Sequence, residues 1–209
     1  MYSLIIFAPD LQTLLKIPEG SEHLFSRYGI KSLTMDDVAR ELGMSKKTLY
    51  QYVSDKNDLV EKTLDFHLQH SKHTCELLIE DQNNPIDCML AIGDFFSQHM
   101  KDTNPSLMFD LRKYHIGAWK KLEEYRFETI LKQIEQNLIR GVKEGYYREN
   151  IDTNVIPRLY IGLTDAILES NYFPRDQFKF EEVVHQMLSY HIHGIATQKG
   201  KEYLKNKNK

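Results

Sequence analysis

Between Met35 and Val53 the chain reads MDDVARELGMSKKTLYQYV, and three positions in that stretch constrain one another. Ala39 and Gly43 stand four apart, and Leu49 follows six later. Two short helices cross closely only where one facing residue is small, and Ala39 is. The turn between them needs a residue that tolerates a left-handed backbone, and Gly43 does. The inner faces must be apolar at set offsets; Val38, Leu42, Met44, Leu49 and the ring of Tyr52 fill them. All these demands are met in one register, so the stretch reads as a helix-turn-helix.

The flanking residues agree. Thr34 with Asp37 three later has the form of a capping box, and Ser45 and Ser54 can cap the helices that follow. Asp36 and Asp37 suit the positive end of their helix. Lys46 and Lys47 open the next one against that preference, where an acidic first turn would be worth about 0.3–1 kcal/mol more. A phosphate backbone would favour those lysines. Ser45, Lys46, Lys47, Thr48, Tyr50, Gln51 and Tyr52 then decorate the outward face. Gln pairs with adenine, Thr packs on a thymine methyl and Lys reaches guanine O6/N7. Tyr50 and Lys56 suit phosphates, which position rather than specify. The bland alternative is a helical hairpin with solvated lysines, because residues 17–65 hold no excess of base over acid.

The rest of the chain shows apolar spacings of three and four and no sustained alternation, which predicts an all-α fold of about nine helices. Pro18 is expected in the first turn of the first helix. The long helix after Ser54 stops before QNNP, and the last, from about Phe180, carries Val183, Val184, Met187, Tyr190 and Ile195. Residues 1–16 read as a lead, either disordered or an extra helix, and 199–209 as a mobile basic tail. The formal net charge is −3, so a nucleic-acid partner must be met by a local patch. Two cysteines, Cys75 and Cys88, exclude a disulfide scaffold. The longest clean apolar run, Leu4–Ala8, is far short of the roughly 20 residues that span a membrane. These features predict a soluble, cytoplasmic protein with no membrane partner and no cofactor.

The segment LFSRYGIKSLTMDDVARELGMSKKTLYQYVSDKNDLV resembles the N-terminal domain of TetR-type transcriptional regulators. Phe25, Gly29, Thr34, Ala39, Gly43, Ser45, Leu49, Tyr50, Lys56 and Leu59 match that family's pattern in order. Val53 stands where the family usually has Phe, and Lys16 is the only base before Arg27, which argues against a minor-groove arm. The resemblance implies a helix-turn-helix domain over residues 17–60 and a helical ligand-binding and dimerisation domain over 61–198. It implies a homodimer, commonly a repressor, that binds a palindromic double-stranded operator and is released by a small-molecule effector. Carried over by position, Thr34, Tyr50 and Lys56 would contact phosphates, and Lys46, Lys47, Thr48 and Gln51 would face bases or backbone. Ligand binding would shift the helix that starts at Lys56 and so change the spacing of the two reading helices.

Large adaptable side chains crowd the middle of the chain, as an apolar pocket requires. Phe95, Phe96, His99, Met108, Phe109, Tyr114, Trp119 and Phe127 are the candidate ligand contacts, with His99 and Tyr114 as polar handles. Leu159, Gly162, Leu163, Ala166 and Ile167, with Val184, Met187 and Ile195, are the candidate dimer contacts. His67, His70 and His73 stand three apart, but successive rings drift around a helix, and a histidine face is the better reading than a metal site. Glu182 and His185 supply a Glu–x–x–His once, where a di-metal bundle needs it twice. No nucleophile motif or phosphate-cradling loop is present. The sequence therefore reads as no enzyme. The alternatives to ligand control are a protein partner and a helical metal-dependent enzyme.

Overall fold

A computed structural model describes residues 11–169 and 172–207. Among the described residues the fold is all-α, with a single isolated bridge between Tyr147 and Ala196. The helices are α1 (Leu11–Tyr28), α2 (Met35–Glu41), α3 (Lys46–Leu49), α4 (Lys56–Asp81), α5 (Pro85–Met100) and α6 (Ser106–Tyr114). Then come α7 (Ile116–Tyr125), α8 (Leu131–Lys143), α9 (Val155–Glu169), α10 (Phe180–Ile195) and α11 (Gln198–Lys207). A π-helical turn, Arg126–Ile130, joins α7 to α8. The expected lead falls outside the described residues up to position 10. From Leu11 onward it is helical, and Pro18 lies inside α1 rather than in its first turn. The helix continues through the missing N–H because Ile17 and Ser21, on either side of Pro18, are buried on one face with Leu24 and Phe25.

The chain divides into two compact units. The first runs to His70 and takes in Asn104–Leu122; the second comprises Ser71–Thr103 and the chain from Glu123. The expected boundary near residue 60 is thus displaced. Leu64 on α4 and Leu111, Ala118 and Leu122 on α6 and α7 join the core formed by Leu24, Phe25, Val38, Leu49 and Leu59. Three polar ties fix α6 there. Asn104 N donates to Ser26 O at 2.7 Å, Lys31 N donates to the buried Asp110 Oδ2 at 2.9 Å, and His115 Nδ1 donates to Asn57 Oδ1 at 2.7 Å. Gly29, at φ +77°, ends α1 in the left-handed region, and a Cβ there would sit 2.7 Å from Ser106 Oγ.

The second unit packs α5 against α10, where a Cβ on Gly93 would lie 2.1 Å from Leu188 Cδ1. Ile86, Leu138, Tyr147, Val184, Leu188 and Ile192 are its most enclosed residues. The expected mobile tail is instead α11. Leu204 is buried in this core, Tyr203 Oη donates to Asp87 Oδ2 at 2.5 Å, and Lys199 lies 4.2 Å from the Tyr146 ring centroid. Leu204, with Tyr203 packed beside it, docks a segment that reads as a basic tail.

Candidate nucleic-acid interface

Local bonds build the outer surface of α2 and α3. Thr34 caps α2: Asp37 N donates to Thr34 Oγ1 at 3.2 Å, and the Asp37 carboxylate accepts from Thr34 N at 3.0 Å and from Thr34 Oγ1 at 2.6 Å. Those bonds, with Arg40 at 2.6 Å, hold the Asp37 carboxyl at about 2. Gly43 makes the turn at φ +67°, and nothing lies within 4 Å of a Cβ built there, so the requirement is one of backbone angle alone. Ser45 Oγ accepts from Thr48 N at 3.0 Å and caps α3. The helix proper is only four residues. Beyond it the chain tightens: Gln51 N and Tyr52 N donate to the carbonyls of Thr48 and Leu49, each at 3.0 Å.

Leu49 and Val53 point into the core and Tyr52 packs against it, so only Tyr52's edge is available outside. Lys46 is paired with Asp36 at 3.0 Å, which accounts for one of the two lysines that oppose the helix dipole. Thr48 Oγ1 lies 2.8 Å from Ser45 Oγ. Lys56 is half-buried, and its ammonium donates to Leu33 O instead of reaching outward. Burial pushes its pKa down, and Asp110 opposes that shift. Lys47, Tyr50 and Gln51 remain exposed, and none of their side chains has a hydrogen-bond or ion-pair partner among the described residues. Of the nine expected DNA contacts, Thr34, Ser45, Lys46 and Thr48 are engaged in local bonds, Tyr52 packs on the core, Lys56 turns to Leu33 O, and Lys47, Tyr50 and Gln51 are left unengaged.

The family model for bacterial regulatory proteins of the tetR family matches residues 17–63. The helix-turn-helix-type transcriptional regulator YvaF of Bacillus subtilis is 29% identical over 166 residues, covering 79% of this chain and 86% of that one. Residues 17–63 thus match the tetR-family DNA-binding domain, and the findings together support a DNA-binding, TetR-family transcriptional regulator. A TetR-family regulator from Cytophaga hutchinsonii shares the fold at TM-score 0.73 and 16% identity, over 90% of this chain and 96% of that one. So does FadR from Bacillus subtilis, solved in complex with stearoyl-CoA, at TM-score 0.71 and 14% identity, over 87% of this chain and 98% of that one.

The chain has an apolar cavity of about 260 Å³ within its second unit. Ile79, Met89, Ile92, Ile130, Ile134 and Tyr160 supply its apolar wall. Gln133, Gln136, Asn137, Cys88 and Arg140 complete the lining. Arg140 is internally satisfied: Nε donates to Glu144 Oε1 at 2.7 Å and Nη2 to Asn83 O at 2.6 Å. Asn137 is held between Pro85 O at 2.9 Å and Tyr147 Oη at 3.2 Å. Burial pushes the Tyr160 phenol up to about 12, and its ring meets His191 edge-on at 5.1 Å. His191 is buried with Nε2 unpartnered, and burial pushes it down to about 4.

None of the eight expected ligand contacts lines this cavity. Met108 and Trp119 pack on the first unit's core, and Phe109 and Tyr114 are exposed on α6 of that unit. Phe96 meets Phe180 in the second core, Phe95 meets the exposed His99 with tilted rings at 4.1 Å, and Phe127 is exposed on the π turn. Aromatic abundance does not show which face of each helix turns inward. The informative signal was the row Ile130, Ile134, Asn137 on one helix face, apolar but interrupted by an amide. The expected dimer contacts also divide. Ile167, Val184, Met187 and Ile195 are buried in their own core, whereas Leu159, Gly162 and Leu163 are exposed. Val155 and Tyr190, the latter 75% exposed, lie open beside that set in sequence periodicity and on α10 respectively. Among the described residues no group of three His, Cys, Asp or Glu is placed to hold a metal ion, and no helix is long and apolar enough to cross a membrane.

Proposed function

We propose that the protein acts as a homodimeric repressor that leaves a palindromic operator when a small apolar molecule fills the second unit. The observation that carries this reading is the unengaged trio Lys47, Tyr50 and Gln51, exposed on a surface whose other polar groups are already satisfied. Gln51 suits an adenine edge, Lys47 a guanine or a phosphate, and Tyr50 a phosphate. A palindrome needs a symmetric mate. Val155, Leu159, Gly162 and Leu163 recur at spacings of four, three and one, so they share one exposed face of α9. An open apolar row of that kind favours pairing of two copies.

The effector's size follows from the cavity. A cavity of about 150 Å³ holds a benzene ring, so about 260 Å³ suits a molecule of roughly a dozen non-hydrogen atoms. The lining's one cation is neutralised by Glu144, which favours a neutral ligand over an anionic one. This reading separates the chain from FadR, whose stearoyl-CoA far exceeds that size. α4 starts at Lys56 and reaches Ile79 in the cavity wall as one helix, which supports a ligand-dependent shift at its first turn.

Sedimentation of the chain with a duplex selected from a random pool tests the assembly. Two chains per duplex are expected, and a Leu159→Glu, Leu163→Glu variant should sediment as one chain with weakened DNA binding. A wild-type complex of one chain per duplex contradicts the dimer. A compound that raises the melting temperature through the cavity but leaves duplex affinity unchanged contradicts release.

A further inference from the structure

Two lysines from distant parts of the sequence converge on one phenol in the first unit. Lys31, in the loop between α1 and α2, places Nζ 3.2 Å from Tyr114 Oη and 5.0 Å from that ring's centroid. Lys113, in the last turn of α6, lies 5.3 Å from the same ring and 5.1 Å from the Phe109 ring. Hydrogen bonds from both lysines hold the Tyr114 phenol below its usual range. Lys31, Lys113 and Tyr114 are all exposed, and neither ammonium has a carboxylate partner among the described residues. Bringing like charges together without a counter-ion is unfavourable. A phosphate oxygen in front of the phenol would turn that repulsion into charge-assisted hydrogen bonds.

The cluster is also held in a fixed place. Asp110, 4% exposed, accepts from Lys31 N and locks the loop to α6. Lys56 donates to Leu33 O, and His115, the residue after Tyr114, donates to Asn57. Lys31 is therefore three residues from Thr34, the cap of α2, and Tyr114 is tied to the first turn of α4. The lysines border the edge of the unit from which α2 and α4 begin, next to the reading surface.

We propose that Lys31, Lys113 and Tyr114 form a second grip on the DNA backbone, taking a phosphate outside the base pairs that α3 reads. α6 then belongs to the DNA footprint. This inference rests on the DNA-binding reading above. The grip confers affinity without sequence preference and engages only on duplexes long enough to carry the flanking phosphate.

The test is the salt dependence of binding to a selected duplex and to a random one. Each phosphate contact contributes about 0.9 to the slope of log affinity against log salt. Lys31→Ala with Lys113→Ala should flatten that slope by about one to two per chain and weaken both duplexes by the same factor. The variant's melting temperature should match the wild type, since both side chains are exposed. Tyr114→Phe should weaken binding less than the double change. Trimming the duplex to the read base pairs should erase the difference between variant and wild type. An unchanged slope in the double variant, with the wild type bound normally, overturns the grip and leaves the proposed function intact. A wild type that binds no duplex at any salt overturns both.

Discussion

The helix-turn-helix and the cavity differ in how far apart in sequence their determinants lie. From Thr34 to Val53 the hydrogen bonds that shape the reading surface span five residues or fewer, apart from the Lys46–Asp36 pair and the bond from Lys62 Nζ to Tyr52 O, each ten residues apart. The cavity draws on α4, α5, the π turn, α8 and α9, residues from Ile79 to Tyr160. A surface set by caps and one left-handed turn is specified by a short string. A void is specified by what many side chains fail to fill, and that depends on long-range packing. Local chemistry therefore determines the DNA face, and tertiary packing determines the cavity.

The largest test of that contrast removes core atoms from the local region. Leu49 is fully enclosed, so Leu49→Ala should cost about 2–5 kcal/mol. Hydrogen exchange should show the loss in α1–α3, while binding of an apolar probe to the cavity persists. Loss of probe binding in that variant would show that the two regions are not separable as described.

The next effect belongs to the second unit and appears with pH. His191 titrates at about 4 when folded, against an ordinary 6.5, because burial disfavours its charged form. Between those values the unfolded chain binds a proton that the folded chain does not, so stability falls as pH drops from 6.5 to 4. The loss is roughly 3 kcal/mol. His191→Phe should flatten the denaturation midpoint across that window, and an unchanged profile would remove His191 from the account.

Two smaller tests return to the local region. Gly43→Ala should cost about 1–2 kcal/mol, because only the left-handed angle opposes it and no neighbour does. Asn at the same position should recover part of the loss in chemical denaturation. Thr34→Ala removes the cap of α2 and should cost about 1 kcal/mol, with a lower DNA affinity that follows from α2 fraying.

The same contrast explains what could be read from the sequence. Ala39, Gly43 and Leu49 announced the helix-turn-helix because their spacing leaves one solution. Lys46 was harder: its place against the helix dipole is offset by Asp36, ten residues away on another helix. α6 falls in the expected 61–198 domain but packs in the first unit, because the buried Asp110 carboxylate accepts from the Lys31 amide, a partner that sequence spacing does not reveal. Phe109 and Tyr114 read as pocket linings for the same reason; their helix turns a different face inward. α11 carries one buried leucine among charges, a pattern that periodicity cannot separate from a loose tail.

The central claim is that the side chains past Gly43 read base pairs, and selection of duplexes from a random pool tests it most directly. Wild-type protein should enrich two inverted half-sites about one helical turn apart, roughly 34–36 Å. Gln51→Ala should relax one symmetric pair of positions within them, at a cost of about 1–3 kcal/mol there. A pool that gains no motif, or a motif that Gln51→Ala leaves unaltered, would contradict the claim.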